Sequence, residues 1–168
     1  MTQPHHRGHG DREDDDAFAA FRPRRGRVVA LGCAIAALVV FIVIATVLPG
    51  PSEAGNWRLG DRLFFAGLGV AIAVVLWRYA SIRATPTREA LTVRNLFTTR
   101  TVPWRTVVDL RFGGGDPWVT IELEDTDTLA VMAIQKADGA YGQAEASRLA
   151  ALLQALGPTA TSPDVTPA

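Results

Sequence analysis

Two apolar runs, residues 28–48 and 63–80, separated by a short polar turn, set the limits on what this chain can fold into. The first holds 21 residues without a charge, and 13 of them are Leu, Ile, Val or Phe. At 1.5 Å per residue such a helix is about 31 Å long, the thickness of a bilayer's hydrocarbon core. A core helix of a soluble protein rarely runs this far without a polar residue. The second run is uncharged from Leu63 to Trp77, about 23 Å of helix, and reaches spanning length only by taking in Arg78. A long arginine side chain near a helix end can carry its charge to the interface, and Arg62 can do the same at the other end. Trp57, Trp77 and Tyr79 stand where interfacial aromatics belong. The apolar residues of this run occupy no single face, which argues against a helix lying flat on the membrane. A two-helix transmembrane hairpin over residues 28–80 is therefore expected, with spans at about 28–48 and 63–80.

Basic residues orient the hairpin. Arg22, Arg24, Arg25 and Arg27 precede the first run, and Arg78, Arg83 and Arg88 follow or end the second, whereas the connecting loop holds only Arg58 and Arg62. The positive-inside rule then places both termini in the cytoplasm of a multi-pass protein of the cytoplasmic (inner) membrane. A cleaved signal peptide fits less well, because its apolar region is usually 7–15 residues long. Gly32 with Ala36, and Gly67 with Ala71, stand four apart, as small residues do where helices approach closely, within the hairpin or in an oligomer. Cys33, the only cysteine, lies inside the first run and so cannot belong to an intramolecular disulfide framework.

The flanking segments read differently. Residues 1–27, rich in His, Asp, Arg and Gly, have the composition of a disordered cytoplasmic tail. Its His5, His6 and His9 lack any fixed geometry for a metal. Pro49, Gly50 and Pro51 stop the first helix. Residues 158–168 are Pro/Thr-rich and read as a second disordered tail.

Between residues 81 and 157 the period changes from helical to alternating. Residues 81–85 make a short strand stopped by Pro86. Leu91 and Val93 alternate with Thr92 and Arg94, and residues 99–103 pair back across a turn near Phe97 and Thr98. Val108, Leu110 and Phe112 share one face of a further strand. Gly113, Gly114 and Gly115 turn the chain into the clearest strand, in which Val119, Ile121 and Leu123 alternate with polar residues; Leu129, Val131 and Ala133 repeat the period. Leu149, Leu152, Leu153 and Leu156 then form one helical stripe that Gly157 and Pro158 end. Five or six antiparallel strands covered by one C-terminal helix make a small α+β domain.

This order resembles a bacterial pleckstrin-homology-like (PH-like) domain, a bent antiparallel sheet closed at one end by a helix. It is similar in particular to the actinobacterial two-span PH domain-containing membrane proteins related to low molecular weight protein antigen 6. The resemblance rests on Leu91-Thr92-Val93-Arg94-Asn95, Arg100-Thr101-Val102-Pro103-Trp104 with Val107 following, residues 118–123, Ala133-Ile134-Gln135 and the final helix. Pro103 ends a strand or marks an edge. Trp104 then serves as a structural anchor, its ring over the apolar face and its N–H on a nearby acceptor. Eukaryotic PH domains take phosphoinositides on a basic loop; here the matching turn is flanked only by Arg94 and Arg100, so that specificity does not carry over.

Residues 78–111 carry seven Arg against Glu89 and Asp109, whereas residues 112–168 carry eight acids against Lys136 and Arg148. The membrane-proximal basic surface, with Arg83, Arg88, Arg94 and Arg100 as candidate ligand-binding residues, would favour anionic lipids by about 1 kcal/mol per basic residue near the surface. Solvated strands under positive-inside selection explain the same charges. The glycine run lacks the Lys and Ser/Thr of a phosphate loop, no His follows His9, and the acids at 122–127 lack calcium-loop spacing, so no catalytic residue, metal or cofactor is assigned. Arginines without interleaved stacking aromatics exclude nucleic acid as the partner. The expected function is non-enzymatic: a PH-like interaction module at the cytoplasmic membrane face, binding a membrane or cytoplasmic protein. The alternatives are a structural subunit acting through its transmembrane helices, and an anionic-lipid sensor.

Overall fold

The computed structural model describes residues 16–47 and 58–158. The histidines at 5, 6 and 9, the Pro49–Pro51 stop, Trp57 and residues 159–168 lie outside them. The described residues divide into two compact units, one made of residues 24–47 and 58–82 and a second made of residues 16–23 together with residues 83–158.

The first unit is a helical hairpin of α1 (Arg24–Val47) and α2 (Leu59–Ala80). Both helices are longer than their apolar runs, about 36 Å and 33 Å at 1.5 Å per residue. The second gains its length by starting four residues before Leu63, where the Asp61 carboxylate accepts the Arg58 backbone N–H at 2.9 Å and places a negative charge at the helix's positive end. The helices run antiparallel: Phe41 stacks on Phe65 with ring centroids 6.4 Å apart, and its Cβ sits against Gly69. Near the other end, Leu31 and Arg27 border a small cavity of about 100 Å³ with Trp77, Ala80 and Ser81. Buried Ala30, Ala34 and Ala45 face buried Gly69, Ala73 and Ala80. The close approach therefore uses different small residues from the expected pairs. Gly32 and Gly67 have open space where a Cβ would stand, and Ala36 and Ala71 are exposed, because the contact stripe falls on positions two residues away from them. Most of the apolar surface is uncovered: Val28 is 72% exposed, Leu63 64%, Phe64 65% and Trp77 66%. A soluble core helix would hide these side chains; both helices are long and apolar enough to cross a membrane.

The second unit contains two three-stranded antiparallel sheets and a helix. The first sheet has the order β1 (Arg83–Pro86), β2 (Ala90–Arg94), β3 (Thr99–Pro103); the second has β4 (Val107–Arg111), β5 (Trp118–Leu123), β6 (Thr128–Gln135). Alternation works as expected on β2 and β5, which bury Leu91 and Val93, and Val119, Ile121 and Leu123. On β4 it does not. A β-bulge between Val107 and Asp109 inserts one extra residue. Val107, opposite Leu123, is therefore buried, and Val108 is 62% exposed instead of sharing a face with Leu110.

Helix α3 (Ala140–Leu156) closes the core with Ala146, Leu149 and Leu152 buried and Leu153 and Leu156 half-buried. Its first turn approaches the end of β6 so closely that a Cβ on Gly142 would lie 2.1 Å from the Gln135 carbonyl oxygen. Gly157 ends the helix, its N–H donating to the Leu153 carbonyl at 2.7 Å.

Residues 16–27 differ from the structureless tail expected for them. Arg24 to Arg27 already belong to α1, and residues 16–23 fold against the domain with Phe21 fully buried and Pro23 almost so. Phe18, Phe21 and Pro23 are apolar positions scattered in a charged segment, too few to form an element alone but enough to complete one that already exists.

Candidate interaction site

Strand β3 has a neighbour on one side only. The hairpin it forms with β2 has Asn95 N–H donating to Thr98 O at 2.8 Å at one end and Trp104 N–H donating to Glu89 O at 3.2 Å at the other. Hydrogen-bonded pairs alternate in an antiparallel ladder, so Val93–Arg100 and Leu91–Val102 are the bonded pairs between them. The N–H and C=O groups of Thr99 and Thr101 thus point away from β2, along a free edge. Pro103 ends the edge because it has no N–H to offer.

The floor beside this edge is locked in place by Trp104. Its ring is 2% exposed, and its Nε1–H donates to Thr87 O at 2.8 Å. Thr87 in turn closes the β1–β2 turn: its backbone N–H donates to Ala90 O at 2.8 Å, and its hydroxyl oxygen accepts the Ala90 N–H at 3.1 Å. The chain then makes a short 3-10 turn, Trp104–Thr106, and the Glu124 N–H donates to Thr106 O at 3.0 Å, tying the end of β5 beside β3. A groove of about 260 Å³ results, lined by Arg100, Thr101, Val102 and Pro103 on one wall and by Leu123, Glu124 and Asp125 on the other. It falls below the usual 300–1,000 Å³ of small-molecule pockets and suits a side chain from an extended segment.

The four candidate arginines do not form one surface. Arg83 and Arg94 are direct cross-strand partners on the solvent face of the first sheet. Arg88 lies on the β1–β2 turn, its guanidinium 5.4 Å from the Phe18 ring centroid. Arg100 pairs with Val93 and so belongs to the opposite face from Arg83 and Arg94. There its Nη1 meets Asp127 Oδ2 at 3.1 Å and its Nη2 lies 3.9 Å from Asp125 Oδ2. With Glu124 also on the wall, the groove's mouth is acidic in balance despite Arg100.

Two residues given no structural role from the sequence alone prove central. Asn95, 9% exposed, donates its Nδ2–H to Ala130 O at 2.7 Å and accepts the Met132 N–H on Oδ1 at 3.3 Å, joining the first sheet to β6. Arg148, on α3, reaches the segment at residues 16–21. Neither has a neighbouring pattern in the sequence that would mark it, because each bonds to backbone groups far away in the chain.

The comparisons with known proteins agree with this architecture. Residues 80–151 match the family model described as "Bacterial PH domain". The chain is also similar to uncharacterized proteins of Mycobacterium tuberculosis and Mycobacterium bovis, each 29% identical over 124 residues, which is 74% of this chain and 80% of the relative. No solved structure matches the chain significantly. The two-sheet unit with its covering helix is the part that matches the bacterial PH domain model, and it follows a pair of helices of membrane-spanning length.

Proposed function

We propose that this PH-like membrane protein is a non-enzymatic interaction module, whose hairpin crosses the cytoplasmic membrane with both ends in the cytoplasm and whose domain takes an extended segment of a protein partner along the free edge of β3. One observation carries the reading: the outward N–H and C=O groups of Thr99 and Thr101 lie beside a groove sized for a side chain. Strand addition supplies main-chain hydrogen bonds as affinity and side-chain pockets as specificity. Val102, Pro103 and Leu123 favour an apolar side chain in the groove. Glu124, Asp125 and Asp127 around Arg100 favour a basic residue next to it. Arginines on both sides of the hairpin and few in its loop support the orientation.

The test is affinity capture of the intact protein from native membranes, with partners quantified for the wild type and for Thr101→Pro. That substitution removes the outward N–H and leaves the β2–β3 backbone bonds in place, a change edge strands accept; the Thr92–Thr101 hydroxyl contact at 2.9 Å that it also removes is lost equally in the Thr92→Val control. Loss of a partner with Thr101→Pro, and its retention with Thr92→Val on the central strand, supports strand addition. A partner profile unchanged by Thr101→Pro but abolished by substitutions on the outer faces of α1 or α2 would assign assembly to the helices instead.

A second reading has its own observation. Arg83 and Arg94 stand directly opposite each other, where like charges repel, and an anionic lipid headgroup would relieve that repulsion. Salt-sensitive binding to anionic vesicles that disappears in an Arg83→Gln, Arg94→Gln variant is its signature.

A further inference from the structure

We infer that the PH-like unit is bipartite: it carries a built docking slot whose occupant is the chain's own segment at residues 16–23, held by Arg148, so that the two stretches of chain flanking the helical hairpin are clasped together within the domain. The inference is independent of what binds β3.

Three sets of contacts make the slot. Phe21 adds to the outer edge of β1 as a single antiparallel bridge, its N–H donating to Ala84 O at 2.8 Å and its C=O accepting from Ala84 N–H at 3.1 Å. The Phe21 ring is fully buried, with the Arg148 guanidinium carbon 3.8 Å from its centroid. The same guanidinium donates from Nη1 to the carbonyls of Asp16 at 3.2 Å, Ala17 at 2.9 Å and Ala19 at 2.8 Å, and from Nη2 to Glu145 at 2.8 Å. A planar donor stacked on an aromatic face and aimed at several acceptors is a task for arginine, which lysine cannot reproduce. A half-buried cation bridging a helix to three backbone carbonyls some 130 residues away is specific recognition of an ordered segment.

The family match begins at residue 80 and so does not include this piece. Its position in the chain gives it a consequence. Phe21 lies three residues before α1, and Ala84 lies four residues after α2. At the reach of an extended chain these tethers are about 10 Å and 14 Å long. The bridge therefore joins, within the domain, the two stretches of chain that flank the hairpin. Releasing it would uncover the outer edge of β1 and the slot beneath Arg148.

Disulfide trapping in the full-length protein, in membranes, tests the clasp. In a Cys33→Ser background, Arg22→Cys and Arg83→Cys occupy the cross-strand positions next to the Phe21–Ala84 bridge, both exposed. They should cross-link under mild oxidation, whereas Arg22→Cys with Thr126→Cys, on the β5–β6 turn, should not. Phe21→Ala should lower the yield roughly tenfold or more, because burial of the ring is what seats the segment. Arg148→Lys should lower it as well, while hydrogen exchange shows β5 amides as protected as in the wild type. Failure of Arg22→Cys and Arg83→Cys to link above the control pair, with β5 still protected, overturns the clasp. An Arg148→Lys yield equal to wild type overturns the role given to Arg148.

Discussion

Asn95 and Ala130 are joined by a 2.7 Å hydrogen bond that runs from a turn of one sheet to the edge strand of the other. With the Met132 N–H bonded to the same amide at 3.3 Å, the Asn95 side chain behaves like a peptide group inserted into the β6 edge. It is a polar rivet in a largely apolar core, one of three buried polar side chains among the described residues, with Gln135 and Asp138.

Asn95→Ala should therefore destabilise the domain by about 1–3 kcal/mol, since it leaves a donor and an acceptor of β6 unsatisfied. Asn95→Asp should be harmful too, because an ionised carboxylate still accepts from Met132 but has no N–H for Ala130. Hydrogen exchange of the full-length protein should show lost protection at Met132 in the alanine variant.

Trp104 separates packing from hydrogen bonding. Trp104→Phe keeps an aromatic ring but removes the donor to Thr87 O, with an expected cost of about 1 kcal/mol and looser β1–β2 turn amides. Trp104→Ala should cost about 3–5 kcal/mol through the cavity it opens. Thermal unfolding monitored by circular dichroism distinguishes the two, and equal effects would contradict the anchoring geometry.

Two glycines in the domain should respond oppositely to alanine. At Gly142 the added Cβ meets the Gln135 carbonyl at 2.1 Å, so α3 must move off β6 and stability should fall by about 1–3 kcal/mol or more. At Gly113 nothing lies within 4 Å, and Gly113→Ala should leave stability within about 0.5 kcal/mol of wild type. The same melting experiment reads both.

A parallel contrast holds in the hairpin. Gly69→Ile drives a branched side chain into Phe41, whose Cβ would be 2.5 Å from the new Cβ, and should separate α1 from α2. Gly67→Ile faces open space and should not. Cross-linking between cysteines at Leu31 and Trp77 should fall sharply for the first and persist for the second.

How far the sequence discloses this protein depends on the range of the interaction. The two long helices, the strands β2 and β5 and the leucine stripe of α3 were legible because their period is local. Val107 and Val108 exchange places because a bulge adds one residue between Val107 and Asp109, turning Val107 inward with Leu110 and Val108 outward while Leu110 and Phe112 keep their face, an event decided by pairing with Leu123 and Glu122. The contact faces of the hairpin were misplaced because Ala30, Ala34, Gly69 and Ala73 compete with equally small neighbours, and only the crossing of two helices selects among them. The free edge of β3 was half legible: Pro103 announced an edge, but its neighbouring groove requires β5 to lie alongside. Arg148 and Phe21 carried no periodic signal at all, since their partners are separated in sequence by the entire membrane hairpin.

That separation has a consequence for synthesis. The segment bearing Phe21 is translated before either helix, yet Ala84 exists only after both, and Arg148 later still. In the proposed topology, the segment bearing Phe21 would wait on one side of the bilayer for its partners to arrive. A nascent chain whose second helix failed to return across the membrane would then leave Ala84 and Phe21 in different compartments, and the last edge of the domain could not form. In that topology, completion of the domain would report that the hairpin has inserted correctly.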